Sequence, residues 1–410
     1  MPADALKCKE CSTTYPLEAR YVCERCFGPL EVAYSAPSGT ADELRRRIQA
    51  GPHTLWRYAD FLPLEGAPRS ALPTGWTPLV RADRLAERLG LRELWVKNET
   101  ANPTHSFKDR VVSVALARAQ ELGFDTVACA STGNLANAVA AHAAAAGLPS
   151  YVFIPADLEQ EKILATGAYG TQIVAIRGNY DAVNRLCTQV SDEREGWAFL
   201  NINVRPYYAE GSKTLAYETA EQLGWQLPDR VVAPIASGSL FTKVARGFQD
   251  FIDAELLAGD LPVMCGAQAE GCSPVAQAFA AGTDVCRPVR PDTIAKSLAI
   301  GNPADGPYAV ELANRTGGAI ESVTDDEIRA GIRLLAETTG IFTETAGGVT
   351  TAVLAKLAAA GAIDPEERVV AYITGDGLKT LDAVRGTAQV TEIAPSLDDF
   401  ESAFAGAGVA

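Results

Sequence analysis

The residues that could do chemistry fall into a few short segments. In Asn102 to Arg110, NPTHSFKDR, a lysine (Lys108) stands at the mouth of a long helical pattern. A lysine in a first turn opposes the positive end of the helix dipole, so electrostatics alone places it poorly. A flexible stem that carries the ammonium into water accounts for most such lysines. An amine used in chemistry is the alternative, and the rest of the chain decides between them. Three turns rich in glycine and hydroxyl groups each lie between a strand-like run and a helix. Ser131-Thr132-Gly133-Asn134 follows TVACA, and its hydroxyls, amides and asparagine suit a carboxylate. Ser237-Gly238-Ser239-Leu240 follows RVVAPI, and a small-residue turn of this kind cradles a phosphate with backbone N–H groups. It is not a Walker A loop, since no G-K-[ST] follows, and no G-x-G-x-x-G is present. Thr374-Gly375-Asp376-Gly377 follows RVVAYI and puts a hydroxyl at a strand end. Capping explains any one of these turns. Three of them beside a strand-end lysine are harder to dismiss.

A second kind of chemistry sits at the N-terminus. Cys8, Cys11, Cys23 and Cys26 form C-x2-C-x11-C-x2-C. Two such pairs wrap a tetrahedral Zn2+ from two sides, and the metal replaces the core that so short a segment lacks. Four thiolates leave no open coordination position, so the role expected is structural. The other five cysteines show no pairing pattern and read as small buried residues.

These groups must be positioned by a regular scaffold. Strand-like runs TVACAS, SYVFIP, QIVAI, AFLNI, RVVAPI, PVMCGAQ and RVVAYIT alternate with amphipathic stretches such as VVSVALARAQELG and DDEIRAGIRLLAETTG. That alternation predicts parallel β/α architecture. A closed eight-fold barrel and open doubly wound sheets both fit it. At 410 residues, two subdomains or more are expected. A net charge of −15 weighs against binding nucleic acid or an anionic membrane surface. No apolar run reaches the ~20 residues of a membrane span. The start of the chain lacks a signal core, so a cytoplasmic location is expected.

NPT with SFKDR, then STGN, a Ser/Gly loop and ITGDGLK, in this order, resemble the fold-type II family of pyridoxal-phosphate enzymes. NPTHSFKDR, EGSKTLAYE, AKSLAIGNP and YITGDGLKT are most similar to its threonine synthase branch. The resemblance implies an α/β fold of two open, doubly wound subdomains with the cofactor in the cleft between them, plus the zinc ribbon; the barrel reading falls. It divides the chain into a ribbon (1–34), an irregular and helical part (35–90), a smaller subdomain with the lysine (91–205), a larger one with the phosphate loop (206–390) and a tail (391–410).

Carried onto this sequence, the resemblance implies that Lys108 forms the Schiff base with pyridoxal 5'-phosphate. Desolvation and the positive helix end would lower its pKa toward the neutral amine that this needs. Asn134 would meet the phenolic oxygen, Ser237, Gly238, Ser239 and Leu240 the cofactor phosphate, and Thr374 the pyridine nitrogen. Ser131 and Thr132 would receive the substrate carboxylate. The implied reaction turns O-phospho-L-homoserine and water into L-threonine and phosphate. Arg205, Ser212 and Lys213 are the candidates for the leaving phosphate, with Lys296 a further one. A Ser/Thr dehydratase, or a cysteate-synthase-like enzyme adding sulfite or thiol, is the alternative. A small-molecule substrate, no nucleic acid or membrane partner, and a homo-oligomer, a dimer, are expected. The family more often has glycine where His105 stands and arginine where Tyr208 aligns. Glu344, in FTETAGG, reads equally as a neighbour of the cofactor and as an ordinary first-turn acid.

Overall fold

The computed structural model describes residues 1–66, 72–131, 133–156, 160–177, 180–387 and 390–404. At the N-terminus β1 (Ala3–Cys8), β2 (Thr14–Tyr15) and β3 (Leu30–Tyr34) form an antiparallel sheet in the order β2-β1-β3. Next along the chain come β4 (Leu79–Arg81), β5 (Glu93–Asn98), β6 (Thr126–Ala130), β7 (Ser150–Pro155), β8 (Gln172–Ile176) and β9 (Trp197–Phe199). They are followed by β10 (Arg230–Pro234), β11 (Val263–Ala269), β12 (Ile320–Val323) and β13 (Arg368–Ile373). A four-stranded parallel sheet runs β8-β7-β6-β9. A six-stranded sheet runs β12-β11-β10-β13-β5-β4 and is parallel except for β4.

Helices cover both faces of each parallel sheet, which is why the strands read as near-continuous apolar runs. In β13, Val370 and Tyr372 enter one core with Val231 and Phe248, while Val369, Ala371 and Ile373 enter the other with Val232 and Leu94. The four-stranded sheet divides in the same way, with Val127 and Cys129 on one side and Ala128 and Ala130 on the other. Two open, doubly wound sheets are therefore present, as the order of the motifs implied. No helix among the described residues is long and apolar enough to cross a membrane.

The boundary expected at residue 91 does not follow the sheets. β5 pairs in parallel with β13 from Glu93 to Asn98, and β4 closes that edge antiparallel. Residues 79–98 thus belong to the six-stranded sheet, and the lysine segment begins the four-stranded one. The pattern of LRELWVKNE announces a strand but carries no information on which distant strand it meets.

The cysteine-bearing sheet is not a free appendage. Leu6, Leu30 and Val32 share a core with Val111 and Ala115 of the helix Lys108–Glu121. Lys9, between Cys8 and Cys11, lies 3.3 Å over the ring of Tyr308 and 3.6 Å from Asp305. Tyr308 in turn donates to Glu10.

Candidate active site

The polar residues around Lys108 in NPTHSFKDR hold its loop and helix in place. Asp109 reaches back to accept from the backbone N–H and hydroxyl of Thr104, at 2.8 and 2.9 Å, and His142 Nε2 stands 2.9 Å from the same carboxylate. Arg110 is wholly buried and uses all five of its N–H donors on Glu99, Glu218, Thr77 and Thr214. The loop and the helix are thereby fixed from both sides of Lys108. Lys108 itself opens the helix, is half-buried, and donates to Tyr208 Oη at 3.1 Å. His105 is exposed, with its ring on the Thr100 carbonyl. Its backbone matters more: φ is +60°, the left-handed region that favours glycine, and its carbonyl accepts from Asp376 N–H at 3.0 Å.

The three turns lie where the motif order put them, at the carboxyl ends of β6, β10 and β13, the usual ligand crevice of such sheets. Phe107 N–H donates to the Thr374 carbonyl at 2.9 Å, which ties the lysine segment to the third turn. Asn134 begins the helix Asn134–Ala146 and donates its amide to Glu344, 3.0 Å from each carboxylate oxygen. Ser131 is half-buried beside it, its hydroxyl 3.4 Å from Gly133 N–H; Thr132 lies outside the described residues.

The second turn is shaped for close approach. Gly238 has φ +99°, and a Cβ there would stand 2.6 Å from the carbonyl oxygen of Asp305. Asp305 N–H donates to the Ser237 carbonyl at 2.8 Å. The helix Ser239–Asp253 starts immediately after, so first-turn amides of Ser239 and Leu240 face outward as anion donors. Arg205 donates to the Asp305 carboxylate at 2.9 Å and is one-third exposed.

The lysine segment, the Asn134 turn and the Thr374 turn are linked by hydrogen bonds through Phe107 and Glu344, and the Gly238 turn is tied through Asp305 to Arg205 on the helix that carries Tyr208. A sequence profile of pyridoxal-phosphate dependent enzymes matches residues 71–375. The chain belongs to that family. It is 38% identical to a threonine synthase of Methanocaldococcus jannaschii, over 92% of this chain and 93% of that one. It is 39% identical to a threonine synthase of Methanosarcina acetivorans, over 91% and 92%. Among solved structures it is similar to a processed threonine deaminase from Solanum lycopersicum, with TM-score 0.64 and 22% identity over 87% of this chain and 96% of that one. Maize serine racemase gives TM-score 0.62 and 20% identity over 84% and 94%. These two likenesses establish the fold.

The residues present fit the family's cofactor. Ser106 Oγ, Thr345 Oγ1 and Lys379 Nζ are buried polar atoms without hydrogen-bond partners among the described residues, in segments that meet at this cleft. A bound polar group would satisfy these three atoms; Arg45 Nε, Thr54 Oγ1, Trp56 Nε1, Arg118 Nε and Asn201 Oδ1 are buried without partners as well.

Ser212 and Lys213 of the expected phosphate set are both buried. Lys213 is buried and already holds Glu210 at 2.7 Å and Asp250 at 2.9 Å, and it lies 4.1 Å over the ring of Tyr34. Ser212 is 2% exposed. The lysine of EGSKT thus answers two buried acids. Lys296 is exposed on a short 3-10 turn. The sequence reading missed Tyr208 as the partner of Lys108 and Asp305 as the backing of Gly238. The first had a signal, since a polar residue stood two places before EGSKT; the second had none.

Proposed function

We infer that the chain is a threonine synthase, converting O-phospho-L-homoserine and water to L-threonine and phosphate with pyridoxal 5'-phosphate. The observation that carries this is identity of 38–39% to threonine synthases across more than nine-tenths of both chains. When bound, the cofactor supplies the electron sink for bond changes at the substrate carbons. Lys108 is the residue that would hold it covalently, and the same amine would move protons at Cα and Cβ of the substrate. Tyr208, 3.1 Å from Lys108 Nζ, orients that amine. Asn134 would meet the phenolic oxygen, the Ser237–Leu240 turn would hold the phosphate, Thr374 would face the pyridine nitrogen, and Ser131 and Thr132 would take the substrate carboxylate. Arg205, one-third exposed on the helix that also carries Tyr208, is the cation left to receive the leaving phosphate.

A direct assay tests the reading. Purified protein is given O-phosphohomoserine, phosphoserine, serine and threonine in turn, and phosphate, ammonia and threonine are measured. Equal amounts of phosphate and threonine, from O-phosphohomoserine alone, are expected. Ammonia from serine or threonine, or phosphate without threonine, would point to a dehydratase or replacement enzyme instead.

The N-terminal cysteines suit a structural Zn2+. Their four sulfurs lie within 4.8 Å of one another. Contacts of 3.4, 3.5 and 3.6 Å approach the spacing of about 3.8 Å that a tetrahedral site with 2.3 Å Zn–S bonds requires. One zinc per chain is expected by elemental analysis. Cys8→Ser should lower the melting temperature by several degrees while leaving kcat of the surviving enzyme within about twofold. Metal-free protein with unchanged melting would remove the zinc from the reading. None of the nine cysteines is in a disulfide, in keeping with a reducing setting.

A further inference from the structure

Glu344 occupies the N-cap of the helix Thr345–Ala359 yet makes no side-chain cap. An acid at that place ordinarily turns back to the free amides of its own helix. This one turns away, and both of its oxygens take the Asn134 amide at 3.0 Å. It is 3% exposed, and no cation comes within ion-pairing distance among the described residues. Burial raises its carboxyl above the usual carboxylate range, against the pull of Asn134, Lys379 and Lys108, with Asp376 adding to the rise. The fold nevertheless holds it in place. Glu344 N–H and Thr343 Oγ1 both donate to the Gly375 carbonyl, at 3.0 and 2.9 Å. A Cβ on Gly375 would stand 2.5 Å from Glu344 Oε1, so the carboxyl is pressed against the turn that bears Thr374.

We propose that Glu344 is a positioning residue that fixes which end of the Asn134 amide faces the cofactor's phenolic oxygen. This rests on the reading that Asn134 meets that oxygen. A carboxylate only accepts hydrogen bonds, so it holds the NH2 end of the amide toward itself and leaves one N–H to donate at the ring edge. An oxygen turned to the phenolate instead would repel it. A neutral amide in place of Glu344 accepts either end of Asn134 and permits the flip.

The test is a double-mutant cycle on the full chain, read as the dissociation constant for pyridoxal phosphate and as the pH midpoint of the bound cofactor's visible absorbance. Glu344→Gln is expected to weaken cofactor binding about tenfold and to move that midpoint, with the melting temperature of the cofactor-free protein unchanged. Asn134→Ala should weaken binding at least as much, and the double variant should be no weaker than Asn134→Ala alone. Glu344→Asp keeps the charge but withdraws it by one methylene; the same loss is expected, so a folding failure of one variant leaves the other. Wild-type binding and midpoint in both Glu344 variants, beside a weakened Asn134→Ala, would overturn the inference and leave the site reading standing. Additive losses in the double variant would overturn it as well. An unaffected Asn134→Ala would overturn the site reading and this inference together.

Discussion

Lys108→Ala is expected to remove the yellow absorbance of the bound cofactor and to lower turnover by a factor of about 10³ or more. In the proposed reaction this amine both anchors the cofactor and handles its protons, so one truncation removes both functions. The loss should be confined to chemistry. Lys108 is half-buried, and its ammonium makes one polar contact within the described residues, with Tyr208. The helix beneath it is held independently by Asp109 and Arg110. The melting temperature of the cofactor-free variant should therefore match that of the parent. A persisting absorbance band with unchanged position would show that another lysine carries the cofactor, and Lys379 would be the first to examine.

The second large effect is on stability. Arg110→Met should destabilise the fold by about 3–5 kcal/mol, measured by denaturant unfolding at neutral pH, because it strands buried carboxylates. Glu99 and Glu218 hold Arg110 at 2.5 to 2.8 Å, and Lys97 reaches Glu218 at 2.8 Å, with all four side chains fully buried. Burial alone would raise the Glu218 pKa, but Arg110 and Lys97 outweigh it and bring the carboxyl down to about 2. Since the folded pKa lies below the unfolded value of about 4.3, the carboxylate's contribution is complete above that value. It is lost as pH falls from about 4.3 toward 2. Glu210, also at about 2 because Lys213 and Lys243 overcome its burial, adds a second contribution of the same sign. Glu218→Gln should then be less stable at pH 7 and show a shallower loss between pH 4.3 and 2. An unaltered acid slope would mean that other groups govern acid unfolding. Arg110→Lys is not a rescue, because an ammonium lacks the planar fork that serves both acids.

Much of this cleft was legible in the chain because strand-to-helix turns advertise themselves. Glycine and hydroxyl residues after an apolar run can be seen locally, and parallel sheets bring all such turns to one end. Lys108, Asn134, Ser237 and Thr374 were singled out in this way. What stayed hidden was pairing across sequence distance. Lys213 looks like a phosphate ligand until Asp250 and Tyr34 are seen around it, and neither is near it in the chain. The strand Glu93–Asn98 gives no hint that it pairs with Arg368–Ile373. Glu344 was visible but ambiguous, because local sequence cannot say which way a buried carboxylate turns.

The knuckle between Cys8 and Cys11 contains only two residues, Lys9 and Glu10, and both grip the segment of Asp305 and Tyr308. Asp305 is the residue whose backbone presses on Gly238 and whose carboxylate restrains Arg205. The N-terminal knuckle is therefore mechanically in series with the Gly238 turn: whatever stiffens the knuckle also braces a turn far along the chain.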